Sequence, residues 1–295
     1  MAHLSAQTTP GTDEITAIVR RALAEDLGRG DVTTDSIVPA DAAARGEFVA
    51  KAAGVIAGWD AVAATFAALD GRAAVRPIVP DGADAPAGTV IGTVAGPARA
   101  LLSGERVALN FLQRLSGIAT MTRAFVRRVE GTRAVVLDTR KTAPGLRPLD
   151  RLAVRLGGGT NHRFGLWDMA LVKENHIAAA GGVTAAVRRF RTNAPAGVPI
   201  EVEVRTLVEL QEALALLPDR ILLDNMSANE MRKAVRIAAG RVPLEASGGV
   251  RLETVAGIAR TGVDYISVGA LTHSVRALDI SLELETPSTP KTSSR

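Results

Sequence analysis

The sequence has 295 residues, a length that fits one large α/β barrel or a barrel with a smaller companion domain. Hydrophobic residues make up 47% of it and aromatic residues only 3%, so we expect aliphatic packing of helices on strands. The net charge is only +4, and the acidic residues are dispersed among the basic ones with few aromatics to stack on bases, which argues against nucleic-acid binding. The absence of cysteine excludes disulfides, thiolate zinc sites and a cysteine nucleophile, and it fits a cytoplasmic protein. No apolar run approaches the roughly 18 residues that span a bilayer, so we expect no membrane association.

The N-terminal part of the chain has the pattern of a small mixed α/β unit. Residues 1–12 are expected to be a disordered lead. Apolar residues at helical spacing predict helices over 13–27 and 59–69, and strand-like runs occupy 46–51, 74–78 and 89–94. Two further helices are predicted over 101–115 and 119–130, with Ser116 and Gly117 as the break between them.

Beyond residue 130 short apolar runs alternate with helical stretches. Helices such as 207–217 and 229–239 separate the strand candidates, which are 134–137, 169–172, 200–204, 220–223, 243–246 and 265–268. Repeated βα units of this kind predict a parallel α/β barrel.

Polar and small residues follow six of these strands directly, at the ends where parallel barrels place their catalytic groups. They are Asp138–Lys141, Lys173–His176, Glu203, Asp224–Asn225, Ser247–Gly249 and Gly269–Ala270. Because the carboxyl ends of all strands of such a barrel face the same way, we expect one site at its mouth.

The charges of this set indicate a small polyanionic ligand. Five cationic side chains fall within a short stretch, namely Arg140, Lys141, His162, Arg163 and Lys173. Burying them without compensation would cost several kcal/mol per ion. The small-residue loops Ser247–Gly249 and Val268–Ala270 are typical of loops that hold a phosphate through backbone N–H groups.

Acidic residues occupy two neighbouring strands of the predicted barrel. Glu201 and Glu203 point to the same side of one strand, and Asp224 ends the next. They could form a structural ion pair with Lys173, but a polyphosphate ligand favours a hydrated Mg²⁺ that bridges carboxylate and phosphate oxygens. The pattern does not decide whether Glu201 or Glu203 is the primary ligand.

Other basic residues have structural interpretations. Arg147, Arg151 and Arg155 recur every four residues and are interpreted as the solvated face of a helix. His162 follows a Gly-Gly-Gly turn and precedes Arg163, which favours a functional role, whereas the pattern leaves His176 and His273 open between structure and function.

Several long motifs closely resemble those of the quinolinate phosphoribosyltransferase family, the carboxylating nicotinate-nucleotide pyrophosphorylases of NAD biosynthesis. The matching segments are residues 25–34, 56–58, 105–106, 116–120, 137–147, 157–163, 173–176, 223–225, 245–249, 261–264 and 271–274. They span nearly the whole chain.

This resemblance implies an α/β fold with an N-terminal α/β sandwich domain over 13–115 and an irregular open α/β barrel over 116–272. Residues 273–285 would return to the N-terminal domain, and 286–295 would be a disordered tail. The implied reaction transfers the phosphoribosyl group of phosphoribosyl pyrophosphate (PRPP) to the ring nitrogen of quinolinate, and releases CO₂ and pyrophosphate to leave nicotinate mononucleotide. The implied assembly is a homodimer with shared active sites, or a higher oligomer.

The resemblance also implies roles for individual residues. Arg140, His162, Arg163 and Lys173 would line the dicarboxylate pocket, with Arg106 contributed by the partner chain. Lys141 and Lys173 would face the pyrophosphate, and Glu203 and Asp224 the ribose hydroxyls and Mg²⁺. The 5-phosphate would lie on Ser247, Gly248 and Gly249 and on Val268, Gly269 and Ala270. Thr139 and His273 complete the substrate-binding set, and the residues expected to be catalytic are Lys141, Lys173, Glu203 and Asp224.

Other functions remain open at the level of the sequence. An aldolase-like barrel would use a strand-end lysine such as Lys173 as a Schiff base, although it would not need four further cations. A catalytically silent phosphate-ligand-binding protein is the second alternative. Within the enzyme class, molybdenum-linked paralogues of the same fold are the nearest confounder.

Overall fold

The computed structural model describes residues 9–285, which form two compact units. The first unit comprises Thr9–Thr120 and residues 276–285, and the second comprises Met121–Val275. These units meet in the chain after Thr120 and after Val275, a few residues beyond the expected domain boundaries at 115 and 272. A helix begins at Thr12, inside the lead that was expected to be disordered. Residues 1–8 of that lead and the tail 286–295 lie outside the described residues.

The first unit is built on a four-stranded antiparallel sheet in the order β12-β1-β5-β3. The C-terminal strand β12 pairs with β1, so residues 280–285 belong to this unit. Its elements are α1 (Thr12–Leu27), α2 (Val32–Ile37), β1 (Ala43–Ala50), β2 (Gly54–Val55), α3 (Trp59–Leu69), β3 (Ala74–Pro77), β4 (Asp84–Ala85), β5 (Val90–Pro97), the start of α4 (Ala98–Val129) and β12 (Ile280–Glu285).

Helix α4 is continuous, so the prediction of two helices separated at Ser116 and Gly117 is wrong. Both residues are small because other chain segments approach them closely. A Cβ on Gly117 would lie 2.3 Å from the carbonyl oxygen of Arg276. The Ser116 hydroxyl accepts a hydrogen bond from the N–H of Ala57 (3.0 Å). The Ser-Gly pair thus permits packing of the helix and does not end it.

The second unit is a six-stranded parallel sheet in the order β6-β11-β10-β9-β8-β7, which confirms the predicted α/β class. Within residues 9–285 no ladder joins the edge strands β6 and β7, so the barrel is open. Its strands are β6 (Val135–Leu137), β7 (Ala170–Val172), β8 (Ile200–Val204), β9 (Arg220–Asp224), β10 (Leu244–Ser247) and β11 (Tyr265–Ser267). Its helices are α5 (Arg147–Leu156), α6 (Glu174–Ala180), α7 (Val183–Asn193), α8 (Leu207–Ala215), α9 (Ala228–Ala238), α10 (Val255–Ala259) and α11 (Ala270–His273).

Side-chain caps start the helices that follow the central strands. The Thr206 hydroxyl accepts from the N–H of Glu209 at the start of α8, and Ser227 and Glu230 form a reciprocal capping box on α9. Across the described ranges, no helix is both long enough and apolar enough to cross a bilayer.

Candidate functional site

A cavity of about 840 Å³ opens at the carboxyl ends of the strands of the second unit. It is lined by residues from every predicted strand end, which confirms that the chain brings them together. The predicted site residues that line it are Thr139, Arg140, Lys141, His162, Arg163, Lys173, Glu203, Asp224, Ser247, Gly248, Gly249, Gly269, Ala270 and His273.

Two predicted site residues do not line this cavity. Arg106 is exposed on α4 in the first unit. Val268 is fully buried, and its N–H donates to the carbonyl of Leu137 (2.9 Å) in the sheet. That N–H is already used between β6 and the end of β11, so Gly269 and Ala270 are the residues of the predicted Val268–Ala270 loop that line the cavity.

The cationic side of the cavity is formed by Arg140 and Arg163. The Nε of Arg140 is buried and has no hydrogen-bond partner among the residues the structure describes. Burial lowers the pKa of the Arg163 guanidinium, and the neighbouring charge of Arg140 lowers it further. Two neighbouring guanidiniums favour an anionic ligand, and the unused Nε–H donor of Arg140 is available to bind it.

The backbone that carries His162 and Arg163 is held by a buried acid, Asp138. One carboxylate oxygen accepts the N–H of His162 (2.6 Å), and the other accepts the side-chain amide of Asn161 (2.7 Å). Burial raises the pKa of Asp138 to about 6, against the opposing charge of Arg151. This first strand-end acid is thus a scaffold for the cationic segment and lies beneath the cavity.

Three arginines of α5 support the same segment from the other side, so their interpretation as a solvated helix face is wrong. Arg151 is only 4% exposed and donates from Nη1 to the carbonyls of His162 (2.8 Å) and Arg163 (3.1 Å). Arg147 donates to the carbonyl of Phe164 (3.0 Å), and Arg155 donates to the Asn161 amide oxygen (2.9 Å). Their four-residue spacing was the available signal, because it places all three on one helix face, but it does not say which face is buried.

The acidic side of the cavity is formed by Glu203 and Asp224. The Lys173 ammonium lies 3.7 Å from a Glu203 oxygen. Partial burial raises the pKa of Glu203 against the charge of Lys173. Asp224 accepts hydrogen bonds from Arg205 Nε (3.3 Å) and from the Asn225 amide (2.9 Å). Arg205 carries no signal in the sequence pattern that marks it as a site residue, and it also forms an ion pair with Glu174 beside Lys173.

The two glycine loops leave little room for a side chain at Gly248 and Gly269. Gly248 has φ of +98°, and a Cβ there would lie 2.1 Å from the Asn225 side-chain oxygen. A Cβ on Gly269 would lie 3.0 Å from the His273 ring and 3.2 Å from Lys141 Cδ. Within residues 9–285, the backbone N–H groups of Gly248 and Gly249, which follow strand β10, form no hydrogen bond with a backbone carbonyl. These loops can therefore present N–H donors to an anion.

The two histidines left open by the sequence differ in position. His176 Nδ1 accepts the N–H of Lys173 (3.0 Å) and caps α6, and the residue does not line the main cavity. His273 lines that cavity, with Nδ1 2.6 Å from the Ser274 hydroxyl. His176 therefore has a structural role, and His273 lies where it can contact a ligand.

His162, Glu201 and Glu245 form a buried group whose ligand atoms lie within 4.8 Å of one another. Such a group could hold a metal in isolation, but Glu245 already accepts hydrogen bonds from Arg220 (2.7 Å) and from Ser267 (2.5 Å). A guanidinium at that distance repels a cation. The other carboxylates that line the cavity, Glu203 and Asp224, also have cationic neighbours, Lys173 and Arg205.

Comparisons with known proteins agree with this site. Two family models match the chain: the N-terminal domain of quinolinate phosphoribosyl transferase over residues 31–116 and its C-terminal domain over residues 118–283. A Mycobacterium leprae protein named nicotinate-nucleotide pyrophosphorylase (carboxylating) is 50% identical over 272 residues, which cover 90% of this chain and 95% of that protein. A Bacillus subtilis protein with the same name, qualified as probable, is 46% identical over 260 residues, which cover 88% and 90% of the two chains.

The structure is similar to a solved one. The nicotinate-nucleotide pyrophosphorylase of Francisella tularensis superposes with a TM-score of 0.91 and 38% sequence identity, covering 96% of this chain and 100% of that one. The resemblance seen in the motifs is thereby confirmed over both units. The chain belongs to the quinolinate phosphoribosyltransferase family, the carboxylating nicotinate-nucleotide pyrophosphorylases of NAD biosynthesis.

Proposed function

We propose that this protein transfers the phosphoribosyl group of PRPP to the ring nitrogen of quinolinate and releases pyrophosphate and CO₂ to leave nicotinate mononucleotide. The observation that carries this proposal is the division of one cavity into a cationic side and an acidic side, joined by glycine loops. A planar dicarboxylate and a phosphorylated sugar need these two kinds of surface next to each other.

Quinolinate would bind on the cationic side. Arg140 and Arg163 offer guanidinium donors, which bind carboxylates in a bidentate geometry. Lys173 lies between this side and Glu203, where it can contact both the dicarboxylate and the pyrophosphate. The unused donor of Arg140 is the feature that most directly calls for a carboxylate.

PRPP would bind across the acidic side and the glycine loops. The 5-phosphate would accept hydrogen bonds from the backbone N–H groups of Gly248, Gly249, Gly269 and Ala270. Glu203 and Asp224 would accept hydrogen bonds from the ribose hydroxyls. Both carboxylates line the cavity, and oxygen donors of this kind fit Mg²⁺, so we propose that they hold it with the substrate.

The chemistry follows from where the charges lie. As the anomeric C–O bond breaks, positive charge develops on the ribose and is stabilised by Glu203 and Asp224. Negative charge develops on the pyrophosphate and is stabilised by Lys141 and Lys173. Bound Mg²⁺ would supply further stabilisation of the leaving oxygen. Loss of CO₂ then leaves an electron pair on ring carbon 2, which the adjacent positively charged ring nitrogen stabilises until that carbon takes up a proton from solvent. Lys141 lines the same cavity, and its charge would favour this step.

We further propose that the active form is a homodimer, or a higher oligomer, in which Arg106 of one copy completes the quinolinate pocket of the other. Support comes from the exposure of Arg106 and from its absence from the cavity lining of the second unit. An exposed guanidinium is suited to bind a carboxylate held by another copy of the chain.

A cytoplasmic location is part of the same proposal and is supported by the lack of cysteine in the sequence.

The direct test is incubation of the purified protein with PRPP, Mg²⁺ and quinolinate. We expect nicotinate mononucleotide, CO₂ and pyrophosphate in equal amounts, and no turnover with Lys141→Ala. Borohydride trapping of a carbonyl substrate on Lys173 would instead support the Schiff-base alternative. Tight PRPP binding without any turnover would support the silent binding protein.

A further inference from the structure

A group of buried charges lies against the cationic side of the cavity. The side chains of Glu201 and Glu245 are 0% exposed, and Arg220 is 3% exposed. Glu245 and His162 reach the cavity lining, whereas Glu201 does not. Two carboxylates next to a site for a dicarboxylate would repel the ligand, so their presence requires another explanation.

The explanation lies in the contacts of the His162 imidazole. Its Nε2 is 3.0 Å from a Glu201 oxygen and 3.4 Å from a Glu245 oxygen. Its Nδ1 accepts the N–H of Arg163 (2.7 Å). The ring is therefore held at both nitrogens, by strands β8 and β10 on one side and by its own backbone on the other.

The charges of this group favour a proton on Nε2. Burial of the ring opposes its protonation, but the charges of Glu245 and Glu201 outweigh burial and raise the pKa of His162. The Arg163 N–H at Nδ1 acts against a second proton at that atom. Nε2 carries a proton in the neutral and in the cationic ring alike, and it lies within ion-pair distance of both carboxylates.

The Glu245 carboxylate is itself held in place by two donors. Arg220 donates to Glu245 (2.7 Å) and lies over the Tyr265 ring with its guanidinium carbon 4.1 Å from the centroid. Ser267 donates to the other Glu245 oxygen (2.5 Å). Residues on β9 and β11 thus hold Glu245 of β10 beside the imidazole, and Glu201 of β8 lies close to the same ring nitrogen.

We propose that Glu201 and Glu245 are positioning residues of the dicarboxylate pocket, which act on the ligand only through His162 and the Arg163 that follows it. This inference rests on the proposed function and deepens it. It also assigns different roles to the two acids of β8: Glu203 faces the cavity and the sugar phosphate, and Glu201 fixes the cationic side. The loss of Glu201 should therefore affect quinolinate and spare PRPP.

The test is a double-mutant cycle with Glu201→Gln, His162→Gln and the double variant, read out as the Kd and KM of quinolinate and the KM of PRPP. Glu201→Gln should weaken quinolinate binding about tenfold, because the buried charge that contacts the His162 ring is lost, and should change the KM of PRPP less than about twofold. In the His162→Gln background the same change should have less than about a twofold effect, because residues that act through one another are not additive. The exposed Glu212 provides the matched control, since Glu212→Gln should change neither the Kd of quinolinate nor the KM of either substrate.

Circular dichroism and the melting temperature establish folding first. Should Glu201→Gln fail to fold, Ser267→Ala takes its place, because it removes one donor from Glu245 and should weaken quinolinate severalfold with the same selectivity. Additive effects, or equal effects on PRPP, would overturn the positioning role. If the wild-type protein does not convert quinolinate at all, the proposed function fails instead, and the two failures are thereby distinguished.

Discussion

Replacement of Arg151 by Met tests how the cationic segment is supported. Arg151 is buried on α5 and donates to the carbonyls of His162 and Arg163, and its Nη1 lies 3.7 Å from a buried oxygen of Asp138. The Met side chain has a similar length and can still pack on the Phe164 ring, over which the Arg151 guanidinium lies at 5.1 Å. The substitution therefore removes the charge and the donors and leaves most of the packing in place.

Two estimates of the stability that Arg151→Met removes agree with each other. Breaking a buried ion pair by removal of one partner costs about 3–5 kcal/mol, because the other charge is left uncompensated. Loss of two hydrogen bonds from a charged donor, at about 1.5–3 kcal/mol each, gives a similar sum. We therefore expect the free energy of unfolding to fall by about 3–5 kcal/mol, which is a drop of about 6–20 °C in Tm for a unit of this size.

The loss should depend on pH in a definite direction. Burial raises the folded-state pKa of Asp138 to about 6, above its unfolded value of 3.8, so in this range the folded state binds more protons than the unfolded state. Removal of Arg151 raises that pKa further, because its charge favours the ionised form. Above about pH 6 the folded variant must then keep the Asp138 carboxylate unpaired or take up a proton. Its loss of unfolding free energy relative to the wild type should therefore grow as the pH rises and shrink toward pH 5.

The measurement is urea unfolding of the wild type and of Arg151→Met at pH 5 and pH 8. Arg188→Met, a change at an exposed position of α7, is the matched control and should alter stability by less than about 0.5 kcal/mol. Equal losses for the two variants, or a deficit that is larger at pH 5, would refute the support that we assign to Arg151.

Three further predictions concern the reaction. Turnover should vanish in EDTA and return with Mg²⁺, and Asp224→Ala should raise the KM of PRPP more than that of quinolinate; undiminished turnover in EDTA would rule out the metal. Nicotinate should be used far less well than quinolinate, because it leaves the guanidiniums of Arg140 and Arg163 under-compensated, and comparable kcat/KM values would contradict the assignment. Mixing inactive Arg106→Ala with inactive Lys141→Ala should restore activity after subunit exchange, because each heterodimer regains one intact site; no recovery after verified exchange would show that sites are not shared.

The sequence by itself determined the strands of the second unit and the chemistry at their ends. Apolar runs and turn residues are local signals, and parallel strands bring their carboxyl ends to one edge whatever the loops do. For this reason the pattern of residues alone assigns Arg140, Lys173, Glu203 and Asp224 to one cavity. The long motifs also determined the family, because several chemically unusual segments match it together.

Only the tertiary structure decided which side of an element is used. The spacing of Arg147 and Arg151 shows that they share a helix face, but burial of that face depends on the segment that packs against it. In the same way, alternation places Glu201 and Glu203 on one side of β8, yet only depth in the sheet separates a positioning acid from one that faces the cavity. The contacts of Gly117 in α4 and of the Val268 N–H also depend on tertiary structure. Their partners, Arg276 and Leu137 respectively, are distant in the chain and come close only when it folds.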